Sequence, residues 1–353
     1  MSRRLVAAVA VFACACSTPR MQSSKSLAMD DHMAHMSAAD MVAPSVTHSS
    51  STYQGDPSLP PSAQTAEARL KASPRHAEWA KIAWEPGSKD SLMAWIVYPV
   101  SRNKAPVVVV VHEIFGLSTW VRGVADQVAA EGFIAIAPDF LSRVRGGPST
   151  EELPAQQASQ LINGRDGVMA AEQNRAIIAA ANYAMMQPAA VQKYAVIGYC
   201  WGGQTTFHHV INGGVKGFAG GVAFYGLPYT SGGRPATATT AAVPSSIDVD
   251  SLKKIKTPVM LLSGTGDARI TAAMPALDSL MKVLHKDYFG KNYEGAIHGF
   301  LRAQDDTLVP NPNRPPTDSA RAAFKRTGAA NLAATKDAWP RTVAFLKKQL
   351  GVK

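Results

Sequence analysis

A chain of 353 residues, 46% hydrophobic and 18% charged, is long enough for one large domain or two small ones and apolar enough for a sizeable core. Its formal net charge of +10 comes without a dense Lys/Arg run or a basic strip interleaved with aromatics. That argues against nucleic acid as a partner and leaves a general attraction to anionic molecules. The cysteines stand at positions 14, 16 and 200, which excludes a disulfide framework and leaves Cys200 as a lone thiol in the body of the chain.

The N-terminus reads as an address. Residues 1–16 carry Arg3 and Arg4, then a short apolar run ending in small residues, the pattern of a secretory signal peptide too short for a permanent membrane anchor. The expectation is a chain exported to the periplasm or secreted, with Cys14 or Cys16 as the candidate for lipid modification and a membrane tether. Residues 17–75 are rich in Ser, Ala, Pro, Met and His and poor in large aliphatics, so a disordered linker is expected. Met29, His32, Met33, His35 and Met36, with Met41 and His48 nearby, are soft-metal ligand types that suit Cu(I). The plainer reading, which we adopt, is a polar linker with no metal.

The folded domain is expected over 76–353. Residues 92–99 and 107–111 read as strands, the second a β-branched run typical of a strand buried on both faces. The loop 112–116 follows, then a helix over 119–131 ended by Gly132, and a buried strand over 133–137. A polar excursion (142–167) leads to an Ala-rich helix over 168–186, stopped by Pro188. A strand starting at Tyr194 then runs into a helix over 204–211, and another strand covers 218–225. Residues 227–256 are expected to form a loop insertion at the rim. A strand (258–262), a helix (271–285), a strand (287–293), the loop 294–300 and a C-terminal helix (329–350) complete the chain. Strands alternating with helices indicate a doubly wound, mostly parallel α/β sheet with helices on both faces.

One stretch organises this pattern. Gly198-Tyr199-Cys200-Trp201-Gly202-Gly203 lies between a strand and a helix, as in the nucleophile elbow of α/β-hydrolases, with Cys at the apex. The turn aims the Trp201 N–H and a helix N-terminus at the sulfur, favouring a thiolate and later an oxyanion. Glu113, Cys200, Asp267 and His298 each follow an inferred strand, so the sheet gathers them at its carboxyl edge. Their order, nucleophile then acid then histidine, is that of α/β-hydrolases. In that arrangement Cys200 attacks an acyl carbon, His298 handles the proton and Asp267 orients the imidazole.

These stretches, His112-Glu113-Ile114-Phe115-Gly116, the Cys200 motif and His298-Gly299-Phe300, resemble the dienelactone hydrolase (carboxymethylenebutenolidase) family over roughly residues 80–350. The resemblance implies an α/β-hydrolase fold and a Cys200–Asp267–His298 triad without cofactor or metal. It implies a Glu113 that contacts the nucleophile at rest, and an oxyanion hole from the N–H groups of Ile114 and Trp201. Arg302 matches an arginine with which that family binds the substrate carboxylate, a task suited to a planar guanidinium. A second family arginine has no aligned match; Arg143, Arg145 and Arg165 lie in the stretch where it is expected. The implied activity is cleavage of a small carboxylic ester or lactone, anionic by analogy, through a thioester on Cys200. The alternatives are a broad esterase or acyltransferase, and a non-catalytic binding protein on the same scaffold.

Overall fold

A computed structural model describes residues 55–85, 87–149, 153–163, 170–232, 246–305 and 318–352. The leader, the Met/His-rich run and Arg165 lie outside the described residues. An eight-stranded sheet forms the centre, in the spatial order β1-β2-β4-β3-β5-β6-β9-β10. Its strands are β1 (Ala77–Ala83), β2 (Ser91–Val97), β3 (Ala105–Val111), β4 (Ile134–Asp139), β5 (Ala190–Tyr199), β6 (Phe218–Phe224), β9 (Val259–Gly264) and β10 (Tyr288–Tyr293). β1 and β2 are antiparallel to each other, and β2 to β4. All other neighbours are parallel, so the expected doubly wound sheet is what the chain forms.

The pattern of each strand follows its place. Every residue of β3 is buried, as a central strand covered on both faces requires. Pro106 has no N–H to give, and the pairing of β3 with β5 shifts register between Ala105 and Val107. β1 lies at the sheet edge and alternates exposed and buried residues along its second half. That mixed pattern hid it from a reading that began the first strand at Leu92.

Helices α2 (Thr119–Ala130), α5 (Ala170–Met185), α6 (Trp201–Asn212), α8 (Ala268–Val283) and α9 (Asp318–Leu350) cover the sheet. The Ser118 hydroxyl caps α2 by accepting the Val121 N–H. The polar excursion contains two short helices that composition concealed, α3 (Ser142–Arg145) and α4 (Ala155–Asn163). In the rim insertion a two-stranded ribbon pairs β7 (Thr230–Ser231) with β8 (Ser246–Ile247), followed by α7 (Val249–Lys253). No helix among the described residues is long and apolar enough to cross a membrane.

The linker expected over 17–75 does not hold for its last part. Helix α1 (Ala66–Ala72) and the segment before it pack on the domain, with Leu59, Ser62, Thr65 and Ala66 all buried. Composition misled here because the segment is fixed less by large aliphatics than by its carbonyls. The indole N–H of Trp120 donates to the Pro61 carbonyl at 2.8 Å, and Arg69 donates to that of Leu59 at 2.6 Å.

Candidate active site

Strand register sets the site. Gly198 pairs with Val111 on one side and Ala223 on the other, while Phe224 pairs with Leu262 and Tyr293 with Gly264. The residues just beyond these pairs therefore reach one edge together: Glu113 after β3, Cys200 after β5, Tyr225 after β6, Asp267 after β9 and His298 after β10. This is the carboxyl edge where open α/β sheets place their chemistry.

At the apex, Cys200 has φ 57° and ψ −117°, a conformation that non-glycine residues rarely adopt and that costs on the order of 1–3 kcal/mol. Its N–H donates to the Phe224 carbonyl at 3.0 Å, and Gln204 returns an N–H to its carbonyl at 3.1 Å. Helix α6 begins at once with Trp201, earlier than the 204–211 expected from a sequence in which two glycines discourage helix. Close packing explains them: a Cβ on Gly202 would collide with the carbonyl oxygens of Val111 and His112. The approach brings the N-terminus of α6 against the loop carrying Glu113 and Ile114.

Asp267 and His298 meet as expected. The ring Nδ1–H donates to Asp267 Oδ2 at 2.6 Å, while Asp267 Oδ1 accepts the Ile270 N–H at 3.1 Å. One carboxylate thus orients the imidazole and caps α8, which starts at Ala268 for that reason. Cys200 is near enough to the ring for its charge to act on it. Burial disfavours the charged imidazole, but the charge and hydrogen bonds of Cys200 and Asp267 outweigh it and raise the His298 pKa well above 6.5. Burial also works against the Asp267 carboxylate, yet the His298 hydrogen bond and charge bring its pKa down to about 2. The His298 loop is pinned by α9, where Asn331 Oδ1 accepts the Ile297 N–H at 3.0 Å.

Glu113 forms an ion pair with Arg302, Nε to Oε2 at 3.1 Å. Arg302 is in turn only 12% exposed, with its guanidinium 5.0 Å from the centre of the Phe115 ring. Ile114 and Trp201 are both buried beside the sulfur-bearing turn. Trp201 is the first residue of α6, so its N–H has no acceptor within the helix. Of the unaligned arginines, Arg143 forms an ion pair with Glu172 at 3.1 Å.

Three residues at the edge escaped the sequence reading. Tyr225 has φ 41° and its ring centre lies 4.8 Å from that of His298. The hydroxyl oxygens of Tyr225 and Tyr199 are buried without a hydrogen-bond partner among the described residues. Burial, and after it the charge of Glu113, raises both phenols well above 10. Tyr225 was findable, since it follows a strand just as Cys200 does.

His112 is the third. Its Nδ1 meets the Glu113 carbonyl at 2.6 Å, and its Nε2 accepts the Phe140 N–H at 3.2 Å. A carbonyl can only accept, so Nδ1 holds the proton and the ring is neutral. Burial takes its pKa down to about 4. The ring also stacks on Trp201, with centroids 5.6 Å apart and planes at 18°. No group of three or more His, Cys, Asp and Glu among the described residues is placed to hold a metal ion.

The sheet, the strained turn after β5 and the Asp267–His298 pair define an α/β-hydrolase. A model of the dienelactone hydrolase family matches residues 92–350, and the chain belongs to that family. It is an enzyme, a hydrolase of ester or lactone bonds. The chain is 28% identical to the carboxymethylenebutenolidase of a Pseudomonas species over 232 residues, 64% of this chain and 84% of that one. It is 27% identical to the human carboxymethylenebutenolidase homolog over 236 residues, 63% and 80% of the two chains. Among solved structures, a dienelactone hydrolase-like promiscuous phosphotriesterase from metagenomic libraries superposes with a TM-score of 0.51 at 21% identity, covering 77% of this chain and 98% of that one.

Proposed function

We propose that the protein cleaves a small anionic lactone or activated ester, as carboxymethylenebutenolidases do, through a thioester on Cys200. The observation that carries this is a buried, strained Cys200 beside an imidazole that Asp267 holds at 2.6 Å. The Cys200 thiolate attacks the acyl carbon, and the carbonyl electrons move onto oxygen, facing the N–H groups of Ile114 and Trp201. Collapse of that intermediate expels the leaving oxygen, which takes a proton from His298 and leaves a thioester. His298 then removes a proton from water, whose oxygen attacks the thioester and regenerates Cys200.

Arg302 and Glu113 complete the reading. A substrate carboxylate competes with Glu113 for the Arg302 guanidinium. The displaced Glu113 carboxylate then takes the thiol proton of Cys200 as substrate arrives, and returns it to the sulfur once the product has left. A cysteine suits activated enol esters, whose leaving groups depart readily. With an alkyl ester the thiolate is the better leaving group and the intermediate reverts, so weak activity on simple esters is expected. We also propose, from residues 1–16, that the chain is exported; the mass of the mature N-terminus tests both cleavage and lipidation.

The deciding experiment is hydrolysis of a carboxylated lactone and a neutral activated ester with intact-mass detection of the acyl-enzyme. The wild type should show the acyl adduct on Cys200, and Cys200→Ala should show neither adduct nor turnover. Wild-type rates from Cys200→Ala would end the mechanism.

A further inference from the structure

The family match starts at Leu92, yet the segment preceding β1 is bonded to the loop that carries Arg302. The Ala63 N–H donates to the Arg302 carbonyl at 3.0 Å, and Gln304 Nε2 donates to the Pro60 carbonyl at 2.9 Å. On its other side the segment is seated on α2. Beside the Trp120 bond, Pro61 packs so closely there that a Cβ on Gly123 would lie 2.7 Å from its Cγ. The Arg69 guanidinium gathers the carbonyls of Asp56 and Leu59 and also reaches the Gln127 side chain. The segment is therefore held on α2 and holds the loop after His298 in turn.

The position of these bonds gives them a consequence. One ends on the backbone of Arg302 itself and the other on Gln304, within the same short turn. Arg302 bonds back to the Gly299 carbonyl at 2.9 Å, so its main chain is fixed from both sides. A long side chain delivers its guanidinium to one place only when its backbone is fixed, and a shift of about 1 Å is enough to weaken a charge-assisted contact. We propose that residues 56–66 form a positioning strap that sets the Arg302 guanidinium and thereby the enzyme's preference for anionic substrates. Ala63 and Gln304 are positioning residues; neither touches substrate. The inference rests on the reading of Arg302 as the carboxylate anchor.

The test uses the full chain with Ala63→Pro, which removes one N–H, and Gln304→Met, which removes the side-chain donor. Each should lower the ratio of kcat/KM on a carboxylated lactone to that on a neutral activated ester by about fivefold, the worth of one ordinary hydrogen bond. The loss should appear as a raised KM for the anionic substrate, with neutral-ester kcat and melting temperature close to wild type. A wild-type ratio in both variants overturns the proposal. So does an equal loss on both substrates, which marks a merely structural role. Should either variant fail to fold, hydrogen exchange of the wild-type chain decides. Saturating succinate should slow exchange at the Ala63 N–H, and unchanged exchange overturns the strap. Failure of succinate to bind at all would remove the anchor and the strap with it. Failure of the Cys200 chemistry shows separately, as a wild type that hydrolyses neither substrate.

Discussion

Two loops at the same sheet edge each carry a buried histidine, and they are electrostatic opposites. His298, after β10, faces a carboxylate and a sulfur and is held toward its charged form. His112, after β3, faces a carbonyl and an N–H and is held neutral, with a pKa of about 4. Burial is alike for both and opposes charge in both. At His298 the anionic neighbours overcome burial, whereas at His112 burial prevails, and the Phe140 N–H can be accepted only by a ring nitrogen without a proton. One loop is thus equipped to move protons, and the other to stay still beneath Glu113 and Trp201.

The largest test removes the charge that separates the two. Asp267→Asn should lower kcat on an activated ester by about 10³-fold, because the amide no longer favours the imidazolium or fixes its tautomer. Stopped-flow turnover checks this, and a loss under tenfold would mean that Cys200 alone drives the polarisation of His298.

Next comes the quiet loop. His112→Phe fills the volume but offers neither bond, and should lower kcat by about tenfold with KM little changed, as expected if the ring positions an oxyanion donor. His112→Asn keeps a donor near the Glu113 carbonyl, while His112→Gln places an acceptor near the Phe140 N–H. Steady-state kinetics on the pair would show which bond matters, and wild-type kcat in all three would make the loop self-supporting.

Arg302→Ala is smaller and selective. The KM of a carboxylated lactone should rise by about tenfold, against less than twofold for a neutral ester; equal shifts would discard Arg302 as the anchor.

The smallest effect concerns stability against pH. His112 is depressed from 6.5 to about 4, so between these values the unfolded chain binds the proton that the folded one refuses. Stability contributed by His112 is therefore complete above pH 6.5 and lost as pH falls toward 4. Asp139, raised by burial to about 6, acts in the opposite direction over part of that window, so the variant difference is the useful quantity. Chemical denaturation of His112→Phe at several pH values should show a slope lower by up to about one proton. An unchanged slope would mean that folding does not depress the His112 ring.

Much of this architecture could be read in the chain. The β-branched run of β3 announced a central strand, and a cysteine among glycines announced the turn, because both patterns have few physical alternatives. The edge positions of Glu113, Asp267 and His298 followed from counting strands. What stayed hidden depends on partners distant in sequence. Glu113 pairs with Arg302, a pairing made by side chains that only folding brings together. His112 looked like one letter of a motif, though its ring ties two loops. The strap's small and polar residues gave no periodic signal, since its carbonyls are satisfied by Trp120, Gln304 and Arg69. Helix α4 was lost in the surrounding Gly and Pro for a similar reason.

The bond from Gln304 to Pro60 spans 244 residues. On a ribosome the early partner emerges first and must wait, undocked, until nearly the whole domain has been synthesised. Long-range closures of this kind are slow, because chain entropy is lost before any contact repays it. The clasp beside Arg302 can then form only after that wait, whereas the thiol-bearing turn lies about a hundred residues earlier in the chain. On the proposed reading of Arg302, selectivity is then completed late in the life of the polypeptide.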